Sequence, residues 1–169
     1  MNLRVTILKD HSKANCNLIV NWVGNDQKKF DELFHLFMHG EELVVQRAAW
    51  PVSYCVEAHP VLIKKHLKVL VQNLYREGLN GAVKRNTVRL LQYIDIPEKY
   101  HGPVMDNCFN FIEDPNEKPA VKAFSLTILQ RLSERYPEIK NELKMIIEER
   151  FEQETAAFRS RAKKLLRNL

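Results

Sequence analysis

A row of apolar residues that returns about every 38 positions is the feature that most constrains this sequence. The row opens at Val45, Val83 and Val121, each 38 residues after the last, and at Phe158 after 37 more. Apolar residues at helical spacing follow each opening: Val52 and Val56; Leu90, Leu91 and Ile94; Ile128, Leu129 and Leu132; Leu165, Leu166 and Leu169. A period of roughly 20–50 residues is typical of stacked repeats, in which each unit buries its apolar face against the next. The sequence therefore predicts an all-α chain of helix pairs.

The breaks between these rows predict where the helix pairs begin and end. We expect one domain over residues 1–169, with pairs at about 11–39, 43–76, 82–112 and 119–152 and a capping helix at 156–169. Residues 1–9 are weakly patterned, which predicts a short lead-in.

Prolines mark the second helix of each later pair. Pro60, Pro97 and Pro137 stand where a second helix begins, a position at which the missing N–H has no cost. Pro51 lies inside a first helix and predicts a kink, because it removes a backbone donor. Gly102-Pro103 predicts an early interruption of the second helix in the third pair.

Length and composition are those of an ordinary globular chain. The 169 residues can bury a core, and 45% hydrophobic with 28% charged residues excludes a disordered chain. No uncharged apolar stretch reaches the length of a signal-peptide core or a membrane span, so we expect a cytoplasmic protein.

The three cysteines, Cys16, Cys55 and Cys108, are odd in number and far apart in the sequence. They predict buried reduced thiols and neither disulfides nor a cysteine-based zinc site.

Three features resemble HEAT-like repeats: the period near 38, the segment Asp114-Pro115 followed by Val121-Lys122-Ala123 and Leu129, and the prolines that open second helices. The resemblance covers about residues 27–169. It implies a right-handed α-solenoid (an α-α superhelix, armadillo-like) of helix pairs, whose second helices line the inner face and hold a partner. The chain is also similar to small uncharacterised bacterial HEAT-repeat proteins, some of which are labelled adenylosuccinate lyase. It is too short for the long helical bundle of that enzyme and lacks its Met-Pro-x-Lys-x-Asn loop.

The charges on the second helices decide which partner the sequence favours. Overall, 26 basic and 21 acidic residues give a net charge of +5. The helix after Pro60 is basic, whereas the helices after Pro97 and Pro137 mix both signs. A protein that binds duplex DNA would favour continuous positive charge across neighbouring helices. The predicted partner-binding residues are Lys64, Lys68, Gln72, Arg76 and Lys99.

The sequence thus favours a non-enzymatic module for protein–protein interaction or scaffolding. The alternative is DNA binding, as in the HEAT-like alkylpurine DNA glycosylases. It is less favoured because no motif here matches the functional residues of those enzymes.

Other cationic positions allow two interpretations each. Lys84, Lys122 and Arg159 share one repeat position, with Gln46 in the first copy. Their side chains could face phosphates, but we favour the interpretation that they bond to the adjacent repeat.

The last helix carries a row of basic residues opposite an apolar face: Arg159, Arg161, Lys163, Lys164 and Arg167. It could bind an acidic partner or a membrane surface, but we favour a solvated cap.

The histidine pair, the large aromatic residues and the known catalytic motifs give no evidence of a reactive or ligand-binding site. His35 and His39 are four residues apart, as in a metal site, but no third ligand is evident. The large aromatic residues could line a groove, although core or inter-repeat packing is favoured: Trp22, Trp50, Tyr54, Tyr75 and Tyr93. No Gly-rich phosphate loop, nucleophile elbow or catalytic triad is present. The sequence therefore predicts no catalytic, metal or cofactor site.

Overall fold

A computed structural model describes residues 1–168, and the regular secondary structure in that range is helical throughout. The α-helices are α1 (Leu3–Lys9), α2 (Lys13–Val23), α3 (Gln27–His39), α4 (Glu42–Ala58), α5 (Leu67–Asn73), α6 (Gly81–Leu91), α7 (His101–Glu113), α8 (Pro119–Arg135), α9 (Ile139–Arg150) and α10 (Ala156–Leu166). Short 3₁₀ helices span Pro60–His66, Glu98–Tyr100 and Phe151–Gln153. The predicted all-α fold of helix pairs is confirmed, and no strand occurs in the described range.

The chain divides into two compact units, Met1–Ile94 and the part from Asp95 onward. In the first unit, α4 is the central helix and packs against α1, α2, α3 and α6. In the second unit, α8 has the same role and packs against α7, α9 and α10. The expectation of one domain over the whole chain stays a prediction.

The short lead-in predicted at residues 1–9 is helical over most of its length, since Leu3–Lys9 form α1. The Asn2 side chain caps the helix by accepting from the Val5 backbone N–H at 3.2 Å. Leu3 and Ile7 lie one turn apart and are both buried, and α1 packs against α2 and α4. An isolated helix of seven residues is marginal in water, so α1 depends on tertiary packing, which the local pattern does not show.

The second helix of the second pair is also different from the prediction of one continuous α-helix after Pro60. Residues Pro60–His66 wind as a 3₁₀ helix, and only Leu67–Asn73 form α5. The Leu62 carbonyl, which an α-helix would pair with the His66 N–H, accepts instead from the Gln27 side chain of α3 at 3.0 Å. That contact favours the tighter winding.

The prolines inside helices are tolerated. The predicted interruption at Gly102-Pro103 is wrong: α7 runs through both residues because Pro103 lies in the first turn, where N–H groups have no intrahelical partner. Pro51 lies within the continuous helix α4, and its kink stays a prediction. The first helix of the fourth pair spans Pro119–Arg135 as predicted.

The repeated apolar row is the core of both units. Val45, Val83, Val121 and Phe158 are 5%, 3%, 1% and 0% exposed, which confirms the predicted register. In the last copy Leu165 is buried and Leu166 is half-buried, while Leu169 lies outside the described residues.

The three cysteines are buried and free, as predicted. Burial raises the pKa of Cys16 to about 11 and the pKa values of Cys55 and Cys108 to about 12. All three therefore stay protonated at neutral pH and are poor nucleophiles.

Among residues 1–168, none of the helices combines the length and apolar composition needed to cross a bilayer.

Long side chains tie neighbouring helices together at repeat-related distances in the sequence. Arg47 of α4 donates to the Leu8 carbonyl at 2.6 Å, and Arg161 of α10 donates to the Ala123 carbonyl at 3.1 Å. Lys122 of α8 is 2% exposed and donates to Glu154 at 2.5 Å. The interpretation of the basic repeat position as a tie is thus confirmed at Lys122. At the first copy, Gln46 donates to Glu42 of its own helix.

Replacement of Lys122 tests this buried pair. Lys122→Ala leaves the buried Glu154 carboxylate with Arg150, whose Nε lies 3.3 Å away. Losing one partner of a buried pair should lower the free energy of unfolding in urea by about 3 kcal/mol. Lys144→Ala is the control, because Lys144 and Glu148 form an exposed pair whose loss should change it by less than about 0.5 kcal/mol. Equal effects of the two substitutions would contradict the assignment.

Candidate functional site

The predicted partner-binding residues lie mostly on one exposed stretch of the first unit. Lys64 is on the 3₁₀ helix Pro60–His66, Lys68 and Gln72 are on α5, and Arg76 is in the turn that follows. All four side chains are exposed. We call residues 64–76 the basic segment.

Lys99 is separate from the basic segment in the chain. It is exposed on the 3₁₀ helix Glu98–Tyr100 of the second unit, with its Nζ 5.0 Å from the centroid of the Tyr100 ring. Its membership in the same binding surface stays a prediction.

The winding of the chain changes within the basic segment. Lys68 and Gln72 lie four residues apart on α5 and therefore share one face. Lys64 stands on a helix with about three residues per turn, so its spacing to Lys68 is not that of a single α-helical face. Lys64, Lys68 and Gln72 therefore do not form a single α-helical row.

A cluster around Asp31 of α3 anchors the start of this segment. The Asp31 carboxylate accepts from Gln27 Nε2 at 2.9 Å, from His66 Nε2 at 2.7 Å and from Lys65 Nζ. The His66 ring also stacks on Phe34, with 4.0 Å between the ring centroids. Lys65 is thereby paired within the fold, although it is next to Lys64 in the sequence.

The pKa of the Asp31 carboxyl reflects these contacts. Burial acts to raise this pKa, but the hydrogen bonds from Lys65, Gln27 and His66 together outweigh that effect and hold it below its ordinary value. The carboxylate is therefore ionised at neutral pH and holds the two basic side chains in place.

The other cations of the basic segment have no such partner. Within residues 1–168, the side chains of Lys64, Lys68 and Arg76 make neither an ion pair nor a hydrogen bond. Positive charge that is exposed, unpaired and mounted on an anchored segment is available to an external acidic group.

A cleft of about 370 Å³ opens at the end of the basic segment. Arg76 and Asn73 line it together with Glu42, Glu77 and the apolar Met38, Val45 and Val83. Gly40 lies at its edge, where a Cβ would come within 2.5 Å of the Leu36 carbonyl oxygen, so this position needs glycine. No sequence pattern indicates this cleft, because it is formed by residues from α3, α4, α5, α6 and the turns between them.

The large aromatic residues do not all pack as predicted. Trp22, Trp50 and Tyr54 are half-buried between helices, in agreement with inter-repeat packing. Trp50 lies 5.5 Å from the His11 ring and 6.0 Å from the Tyr54 ring, and Arg89 of α6 lies over Tyr54 at 5.1 Å. Tyr75 and Tyr93 are 53% and 42% exposed, so the prediction of core packing is wrong for these two.

The remaining candidates are the histidines and the basic helix α10. The exposed His35 and His39 rings are 4.9 Å apart, and residues 1–168 contain no cluster of three or more metal-ligating side chains. The buried His101 uses both ring nitrogens, donating from Nε2 to the Ile96 carbonyl and pairing through Nδ1 with the Tyr136 hydroxyl. On α10, Arg161 donates to Thr127 at 2.6 Å. Whether the rest of α10 is a cap or a binding element stays a prediction.

Comparison with known proteins gives one family. A family model described as HEAT repeat domain matches residues 3–169. No curated protein and no solved structure matches the chain.

The Asp31 cluster predicts a specific pH dependence of stability. Because the folded state lowers the pKa of Asp31, its contribution is fully present above the unfolded-state pKa, about 4, and is lost as the pH falls through the lower folded-state value. The difference in free energy of unfolding between the wild type and Asp31→Asn should therefore be largest near neutral pH and shrink below pH about 4.

Urea denaturation of both proteins from pH 7 to pH 2 measures this difference. Asp106→Asn, at an exposed position on α7, is the control and should change the free energy of unfolding at pH 7 by less than about 0.5 kcal/mol. A difference between wild type and Asp31→Asn that grew on acidification would refute the cluster.

Proposed function

We propose, since the chain belongs to the HEAT repeat family, that it is a non-enzymatic module that binds a partner protein through the basic segment. HEAT repeats generally act as scaffolds for protein interactions. The proposal adds a surface, Lys64 to Arg76, and a partner chemistry, an acidic protein segment. A cytoplasmic location stays a prediction.

The observation that carries the proposal is the contrast between paired and unpaired cations. Lys65, Lys122 and Arg161 are held by Asp31, Glu154 and the Ala123 carbonyl. Arg4 and Arg135 pair with Glu41 and Glu98. Lys64, Lys68 and Arg76 have no intramolecular partner in the described range. Complementary charge on a partner would give these side chains their only ionic contacts and would speed association.

The acidic side chains elsewhere favour a protein over a duplex as this partner. On α9, Glu142, Glu148 and Glu149 are exposed. That helix therefore offers no continuous basic stripe that could neutralise the phosphates of a duplex. We therefore assign the basic segment to an acidic protein segment and leave nucleic acid as an outcome that the test can reveal.

Charge reversal on the basic segment tests the proposal. The tagged wild-type chain and the variant Lys64→Glu/Lys68→Glu are purified from the native cell after nuclease treatment, and the bound proteins are quantified by mass spectrometry. The wild type should retain an acidic protein that the variant captures about tenfold less, because two favourable charge contacts become repulsive.

Lys163→Glu/Lys164→Glu is the matched control, with two adjacent exposed lysines reversed on α10. It should capture the same partner at the wild-type level. The proposal fails if both double variants behave alike, or if every bound protein disappears on nuclease treatment. In the latter case a salt titration of DNA binding by gel shift becomes the relevant measurement.

A further inference from the structure

Asn73 is an unexplained polar residue in the wall of the cleft beside the basic segment. The residue is only 8% exposed, and its side chain forms no hydrogen bond within residues 1–168. It lines the 370 Å³ cleft, and its amide atoms are not among the fully enclosed polar atoms that lack a partner, so a molecule in the cleft can reach them. Buried polar side chains are nearly always hydrogen-bonded, and one without an intramolecular partner at a concave surface points to an external one.

We infer that this cleft is an anchoring pocket for one uncharged, apolar residue of an extended segment of the partner protein, whose main-chain amide pairs with Asn73. An asparagine side chain offers both an N–H donor and a carbonyl acceptor. A peptide unit of an extended chain offers the complementary pair. This inference rests on the proposed function, because it specifies how the same partner is held.

The size of the cleft and the apolar part of its largely polar lining fit such a residue. A volume of about 370 Å³ lies within the range of roughly 300–1,000 Å³ that ligand sites occupy. Met38, Val45 and Val83 supply apolar wall against which an aliphatic or aromatic side chain loses contact with water. An apolar anchor therefore gains from burial here.

The charges around the cleft select an uncharged occupant. Arg76 brings a positive charge, while Glu42 and Glu77 bring negative ones. Either sign on the occupant would meet repulsion as well as attraction, so a charged anchor gains little. The acidic residues of the partner belong outside the cleft, on the Lys64 and Lys68 side chains.

Arg76 connects the two parts of the surface. It closes the basic segment and also lines the cleft. A single extended peptide can therefore place acidic residues on the basic segment and the adjoining apolar residue in the cleft. The predicted recognition sequence is an apolar residue flanked by aspartate or glutamate.

A peptide-display experiment tests this pairing. A random heptapeptide library is selected on the immobilised 169-residue chain, and the enriched peptides are synthesised with a fluorescent label. Binding is then measured by anisotropy against the wild type, Asn73→Ala, Lys64→Glu/Lys68→Glu and the control Asn110→Ala, which removes an exposed amide on α7. The inference predicts an acid-flanked apolar consensus and about tenfold weaker binding to Asn73→Ala, with no change for Asn110→Ala.

Methylation of the anchor residue's main-chain nitrogen is the sharper arm. If Asn73 accepts from that N–H, the methylated peptide should bind the wild type about tenfold more weakly but lose nothing further on Asn73→Ala. Asn73→Ala itself should keep the urea midpoint of the wild type, because no intramolecular hydrogen bond is lost.

The outcomes separate this inference from the proposed function. Binding that depends on Asn73 but not on Lys64 and Lys68 would support the cleft and contradict the basic segment as the partner surface. Binding that depends on the lysines but is equal for the wild type and Asn73→Ala would overturn the cleft and leave the proposed function standing. A library that yields no enriched peptide, or methylation with the same effect on the wild type and Asn73→Ala, would also overturn it.

Discussion

Burial of the repeated valine row is the interaction on which the rest of the structure depends. Val45, Val83 and Val121 lie near the starts of α4, α6 and α8, and each is at least 95% buried. An isolated amphipathic helix of this length cannot remove its apolar face from water, so each must pack against a neighbour. Packing of this kind fixes which side chains face outward. The exposed basic segment and the cleft beside it exist because the opposite faces of their helices are occupied.

The charges divide into those that hold the fold together and those left for a partner. A net charge of +5 alone says little about binding, because Lys122, Arg47 and Arg161 are used to tie helices. The difference between Lys64 and Lys65 shows how local the division is. Lys65 meets the Asp31 carboxylate and Lys64 does not, although they are adjacent in sequence. Such differences decide which cations are available for recognition.

The sequence predicted the parts of the fold that depend on periodicity and failed where a single tertiary contact decides. The 38-residue row, the bounds of α8 and the buried cysteines follow from spacing and composition. Within the 3₁₀ helix Pro60–His66, the Leu62 carbonyl accepts a hydrogen bond from Gln27, 35 residues away, and no local pattern reveals that contact or the tighter winding. The cleft could not be predicted either. Asn73 looks like an ordinary helical residue until α3, α4 and α6 surround it.

The most direct test of the valine register is a matched set of valine truncations, each measured as the free energy of unfolding in urea. Val45→Ala, Val83→Ala and Val121→Ala should each lower it by about 1–3 kcal/mol, because each removes buried methyl groups from an equivalent position. Val5→Ala, Val61→Ala and Val69→Ala, at exposed positions, should change it by less than about 0.5 kcal/mol. If the first set were as mild as the second, the repeated row would not be what stabilises the stack.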